Sequence, residues 1–129
     1  MNGRATTARD CDIAIVGGGL AGGLIALALA RYRRDITVRL IEAGDRPGGN
    51  HRWSWFASDL SLQGAALLAP MRKTEWDSGY GVCFPDHRRQ LATPYRSLAS
   101  ADFAAALERE LAPETLLVRR RAAALDAGG

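Results

Sequence analysis

The chain has 129 residues, of which 47% are hydrophobic and 24% are charged. These proportions are typical of a globular α/β protein and exclude a disordered or collagen-like chain. The net charge is only +3, and the sixteen arginines and one lysine are spread along the chain among acids. Since no nucleic-acid-binding motif accompanies them, we expect no nucleic acid partner.

The cysteines and the apolar runs bear on location. Cys11 and Cys83 form neither a C-x-x-C motif nor a zinc spacing, so a reducing compartment and no metal site are predicted. Residues 1–9 lack the apolar core of a leader sequence, and the apolar run 20–30 is too short to span a bilayer. The predicted location is the cytoplasm, and peripheral attachment to the inner face of a membrane is left open.

A strand followed by a glycine loop is the most informative feature of the sequence. A predicted strand over 12–16 runs into G-x-G-x-x-G, which is formed by Gly17, Gly19 and Gly22. In such a motif, Gly17 permits the tight turn, Gly19 lets the backbone approach a pyrophosphate, and Gly22 lets the next helix pack closely on the sheet. The motif indicates a dinucleotide site.

The residues that follow complete a βαβ unit. The N–H groups of Leu20 and Ala21, in the first turn of a helix predicted over 20–32, would face the phosphates, because helix N-termini attract anions. A second strand, predicted over 37–41, ends at Glu42, where a carboxylate can accept hydrogen bonds from an adenosine ribose. We therefore predict a Rossmann-like α/β fold with a parallel sheet that binds FAD or NAD(P).

A second glycine loop narrows the choice of ligand. From Glu42 onwards the sequence reads E-A-x-x-R-x-G-G, and this pattern is similar to the extended fingerprint of FAD-binding flavoproteins. Arg46 could neutralise the negative charge of the ADP half of FAD or stack near it. Gly48 and Gly49 would let the loop approach the cofactor closely. The alternative is an ordinary Pro-Gly turn beside a solvated arginine.

The segment after this loop carries a closer resemblance. It contains Asn50 and His51, whose side chains could donate hydrogen bonds to flavin or pyrophosphate. The chain resembles the N-terminal part of a flavin-dependent bacterial lycopene cyclase from about residue 12 to about residue 111. The resemblance rests on G-G-N-H-R-W-S at 48–54, Leu68, Ala69, Pro70, Trp76, Tyr80, Phe84, Pro85, Asp86, Arg88, Arg89, Leu91, Tyr95 and Ser97.

The resemblance implies an enzyme of carotenoid biosynthesis. Such an enzyme closes the ends of a lycopene-type polyene into β-ionone rings without net redox change, with reduced FAD as cofactor and NAD(P)H as a candidate reductant. The family's acid motif has no counterpart in these 129 residues, so no catalytic residue is assigned. We expect one domain over 1–129, an FAD-binding N-terminal part of a longer enzyme, with a sheet incomplete at its C-terminus and no activity in isolation.

Two other functions remain open. The chain could belong to an FAD-dependent oxidoreductase of the amine oxidase or carotenoid desaturase type, which shares E-A-x-x-R-x-G-G but would lack the sequence at 50–54. It could also be a truncated, non-catalytic module that only binds nucleotides.

The rest of the chain is predicted as a long, loop-rich aromatic segment over 45–98, a helix over 101–112, a strand over 115–119 and a last strand over 119–129, cut off at a turn. Ser100 is the expected N-cap, and one helical face should pack on the sheet through Phe103, Leu107 and Leu111. For the three tryptophans we favour core packing over the wall of a polyene tunnel.

Overall fold

The computed structural model describes residues 10–124. The N-terminal segment 1–9, where no leader sequence was expected, and residues 125–129 of the expected last strand lie outside this range. The described elements are β1 (Ile13–Val16), α1 (Leu20–Tyr32), β2 (Val38–Ile41), β3 (Arg52–Phe56), a short 3₁₀ turn (Ala57–Asp59), α2 (Leu62–Leu68), β4 (Thr74–Trp76), β5 (Tyr80–Phe84), β6 (His87–Leu91), β7 (Tyr95–Ala99), α3 (Ser100–Glu110) and β8 (Leu116–Leu117).

The first sheet is parallel and has the strand order β1-β2-β8. Ile13 pairs with Val38 and Val16 pairs with Ile41, so β1 and β2 end at the same edge of the sheet. Helix α1 connects them, and this confirms the predicted strand–helix–strand succession. The protein is therefore a mixed α/β structure with a parallel sheet.

The segment 45–98 is not loop-rich, and that expectation was wrong. It contains five strands and α2. Strands β3, β7 and β4 form an antiparallel sheet in that order, and β5 pairs with β6 in a hairpin. These strands are hard to predict from the sequence, because they are only three to five residues long and β6 is mostly polar. The alternation Arg52-Trp53-Ser54-Trp55 is nevertheless the period-two pattern of a half-buried strand.

The core lies between α1, α3 and the sheets. The expected face of α3 is confirmed, since Phe103, Leu107 and Leu111 are buried. Trp53 lies edge-on to Phe103 with ring centroids 5.2 Å apart, as core packing requires, and Trp55 also packs against the core. Trp76 is 43% exposed, so the expectation of core packing was wrong for this tryptophan.

The N-terminus of α3 and the strands predicted after this helix differ from the expectation. Ala99, not Ser100, is the N-cap of α3, because the backbone of Ala99 is extended and Ser100 is already helical. The Ser100 hydroxyl instead accepts a hydrogen bond from the His51 N–H at 3.3 Å. The strand expected over 115–119 shrinks to β8, and 119–124 form no regular element. Arg119 has φ +55, which takes the backbone out of the extended conformation.

Among residues 10–124, no helix combines the length and the apolar character needed to cross a bilayer.

Gly23 allows the close crossing of α1 and α3. A Cβ at this position would overlap with Phe103 Cζ and lie 2.7 Å from Leu107 Cδ1, and both side chains are fully buried. We expect Gly23→Ala to lower the free energy of unfolding by about 1–3 kcal/mol, the usual cost of overpacking a core. Urea unfolding measures the change.

Gly64→Ala is the matched control for this prediction. Gly64 lies in α2, and a Cβ there would make only ordinary contacts at 3.5–3.8 Å. Alanine should be neutral or stabilising by up to about 1 kcal/mol. A Gly23→Ala variant as stable as the parent would contradict the close crossing.

Candidate functional site

The glycine loop lies at the carboxyl end of β1. Gly17 has φ +102, a conformation that disfavours other residues, and its N–H donates to the Ile41 carbonyl at 2.8 Å. At Gly22, a Cβ would overlap with the Gly17 carbonyl oxygen. The fold itself therefore requires glycine at both positions, as the motif predicts.

Gly19 is different, because the described chain leaves the space beside it open. A Cβ at Gly19 would have no heavy atom of residues 10–124 within 4 Å. Gly19 is the N-cap of α1, and no side chain of the described residues caps this helix end. The N–H groups of the first turn, which includes Leu20 and the exposed Ala21, are thus available to an external acceptor.

Glu42 follows β2 and ties two loops together. One carboxylate oxygen accepts from the Gly18 N–H at 2.8 Å, and the other accepts from the Gly44 N–H at 2.6 Å. A carboxylate offers about four acceptor positions, so Glu42 keeps acceptor capacity for further donors. Sequence reasoning missed Gly18, although a third consecutive glycine in the loop was a visible signal.

The second glycine loop packs against the first. The Gly48 N–H donates to the Gly18 carbonyl at 2.8 Å. Gly48 has φ +90, and a Cβ there would lie 3.1 Å from the Ser100 carbonyl oxygen, so this glycine is required by the fold. Gly49, with φ +59, is exposed, and a Cβ there would contact only the His51 ring among the described residues.

Arg46 forms a two-pronged ion pair with Glu108 on α3. Its Nε and Nη2 donate to the two carboxylate oxygens at 2.8 and 2.9 Å. The hydrogen bond from Arg46 holds the pKa of Glu108 below its usual value, and Glu108 raises the pKa of Arg46. No local sequence pattern indicates this partner, which lies 62 residues away.

Asn50 and His51 lie at the start of the antiparallel sheet, and both are exposed. The backbone of His51 is fixed, because its N–H donates to the Ser100 hydroxyl and its carbonyl accepts from the Ser100 N–H at 2.9 Å. The structure thus joins Gly18, Glu42 and Gly48 by hydrogen bonds and Gly17 to Ile41, whereas the side chains of Asn50 and His51 are exposed.

A cleft opens at the carboxyl ends of β1 and β2. It has a volume of about 230 Å³ and contains a carboxylate beside two arginines. Ligands of parallel α/β sheets bind at this end of the strands. The lining residues are Val16, Gly17, Ile41, Glu42, Ala43, Arg120, Arg121 and Ala122.

Fold and site together define a mixed α/β protein with a glycine loop at the carboxyl end of its parallel sheet. The chain belongs to the lycopene cyclase protein family, whose model matches residues 12–127. This confirms the resemblance found in the sequence.

Three relatives are lycopene beta-cyclases. The protein of Pseudescherichia vulneris is 49% identical over 100 residues, which cover 78% of this chain and 26% of the relative. That of Pantoea ananas is 40% identical over 102 residues (79% and 26%), and that of Paracoccus sp. (strain N81106 / MBIC 01143) is 44% identical over 98 residues (76% and 25%). The chain spans about a quarter of the length of these relatives.

Among solved structures, NikD, an unusual amino acid oxidase essential for nikkomycin biosynthesis, superimposes with a TM-score of 0.42 and 16% identity, over 84% of this chain and 42% of that chain. A TM-score this low does not establish a shared fold.

Proposed function

We propose that the parallel sheet is Rossmann-like and binds the ADP half of FAD. The observation that carries the proposal is the open, uncapped N-terminus of α1 at Gly19, directly beside the Glu42 carboxylate. The N–H groups of Leu20 and Ala21 would donate to the pyrophosphate, and Glu42 would accept from the ribose hydroxyls. Gly17 and Gly22 shape the loop that holds these groups.

The second glycine loop would complete the cofactor site. Arg46 presents a cation near the ADP half, and the glycine backbone at Gly48 and Gly49 permits close approach of the loop. Asn50 and His51 are exposed and would donate to the pyrophosphate or the flavin. The backbone of His51, which is held by two hydrogen bonds to Ser100 of α3, supports such a role.

We further propose that this chain is the nucleotide-binding part of a lycopene beta-cyclase acting on a polyene. FAD, in its reduced form, would serve the cyclisation of lycopene ends to β-ionone rings without net redox change, with NAD(P)H as a candidate reductant. Membership of the lycopene cyclase family supports this proposal. A cytoplasmic location, with peripheral contact to the membrane that dissolves the substrate, belongs to the same proposal.

A non-catalytic nucleotide-binding module is the second candidate. The open N-terminus of α1 at Gly19 would serve such a module equally well. The redox alternative of the amine oxidase or carotenoid desaturase type has less support, because the family match extends through the sequence at 50–54 that such enzymes are expected to lack.

Gly19→Val tests the phosphate site. Because a Cβ at Gly19 meets no described atom and the backbone there is extended, valine should leave folding intact. It would fill the space proposed for the pyrophosphate, and the loss of two charge-assisted hydrogen bonds would cost about 3 kcal/mol or more of FAD affinity. Isothermal titration calorimetry with FAD and ADP measures this loss, and circular dichroism checks the fold.

The control for this variant is Ala30→Val, which places the same side chain at the exposed far end of α1. Its FAD affinity should equal that of the parent. If folded Gly19→Val protein binds FAD as the parent does, the dinucleotide proposal fails.

Glu42→Ala tests the ribose contact. We expect a loss of about 1–3 kcal/mol in FAD affinity, the range for a hydrogen bond to a charged group. The affinity for FMN, which carries no adenosine, should change much less, and this comparison separates ribose recognition from loosening of the loops. The exposed Glu114→Ala is the matched control. Equal losses for FAD and FMN would contradict the ribose assignment.

The 129-residue chain should not cyclise lycopene by itself. Protonation of a carbon–carbon double bond requires a carboxylic acid that stays protonated in a dry site, and no described residue meets this requirement. We expect no monocyclic or bicyclic product when the chain is expressed in a lycopene-accumulating host and the pigments are separated by chromatography. A full-length relative is the positive control, and any product above the empty vector would contradict the proposal.

A further inference from the structure

The ion pair between Arg46 and Glu108 joins the second glycine loop to α3. It is the one contact by which Arg46, at the tip of the loop, is held to a helix in the described part of the chain. The two parallel N–H···O bonds fix the plane of the guanidinium, which a single contact would not do. Arg46 and Glu108 are 51% and 42% exposed, so the pair remains accessible to a ligand.

The pairing also determines which edge of Arg46 is free. Nε and Nη2 are occupied by Glu108, and Nη1 makes no hydrogen bond to residues 10–124. An arginine with one edge occupied and the other free can bridge a carboxylate and an external anion. Glu108 thus orients a cation without neutralising its remaining donors.

The ion pair supplements two backbone attachments of the same loop. On one side of Arg46 the Gly44 N–H is bound to Glu42, and on the other side the Gly48 N–H is bound to the Gly18 carbonyl. The second of these bonds ties the loop to the first glycine loop. Between the two bonds, Asp45 is paired with Arg119 at 2.6 Å and Arg46 is paired with Glu108. Helix α3 packs closely against α1 at Gly23, so the position of Glu108 on α3 is fixed by the core.

We propose that Glu108 is a positioning residue that holds the loop and presents the free Nη1 edge of Arg46 to the ADP half of the cofactor. The inference rests on the proposed function, since it assumes that this loop borders an anionic ligand. Glu108 would act through Arg46 and would not touch the ligand.

Glu108→Gln is the test, because it removes the charge and one acceptor but keeps the length of the side chain. We expect the dissociation constant for FAD, measured by calorimetry, to rise about threefold to fivefold, as for the loss of a surface ion pair. In the ligand-free protein, the Gly48 amide should exchange its hydrogen faster by a similar factor. Glu110→Gln is the matched control, since Glu110 lies on the same helix and contacts Arg109.

A double-mutant cycle with Arg46→Gln separates positioning from a direct role. If Glu108 acts through Arg46, adding Glu108→Gln to Arg46→Gln should weaken FAD binding no further. An additive loss overturns the inference, and so does a Glu108→Gln variant that matches Glu110→Gln in both measurements. If the parent chain binds neither FAD nor ADP, the proposed function fails, and the exchange rates alone decide whether Glu108 holds the loop.

Discussion

The site depends on the two hydrogen bonds that the Glu42 carboxylate accepts from backbone N–H groups. The carboxylate accepts the Gly18 N–H from the first glycine loop and the Gly44 N–H from the second, so one side chain fixes the relative position of both. Glu42 can do this because β1 and β2 are parallel and in register, which places the residues that follow them at the same edge. The register of the parallel sheet thus determines how the two glycine loops lie relative to each other.

The glycines of the site differ in whether the fold requires them. At Gly22 a side chain would overlap with backbone already present in the protein, and at Gly23 it would overlap with the Phe103 ring. At Gly48 the φ of +90 disfavours any other residue. Gly19 meets no such obstacle, so nothing in the fold accounts for it. Because the described chain does not require glycine at this position, Gly19 says more about a ligand than the neighbouring glycines do.

The sequence predicted those parts of the fold that depend on local pattern. The βαβ unit and the buried face of α3 follow from hydrophobic periodicity and glycine spacing, both of which act within one or two turns of chain. The short strands β4 and β6 were missed, since three to five residues with polar side chains carry little periodic signal. The partnership of Arg46 with Glu108 depends on tertiary packing across 62 residues, which spacing alone does not reveal.

Electrostatics also explain why the described carboxyl groups do not suit acid catalysis. A proton donor to a polyene needs a carboxyl group whose pKa is raised by burial away from cations. Here Arg46 lowers the pKa of Glu108, and Arg33 lowers that of Asp35 to about 2. Glu75 lies 3.2 Å from Arg96, and Glu42 is committed to backbone N–H groups. Arginine partners therefore favour the charged forms of Glu108 and Asp35, whereas an acid that protonates a polyene requires the opposite environment.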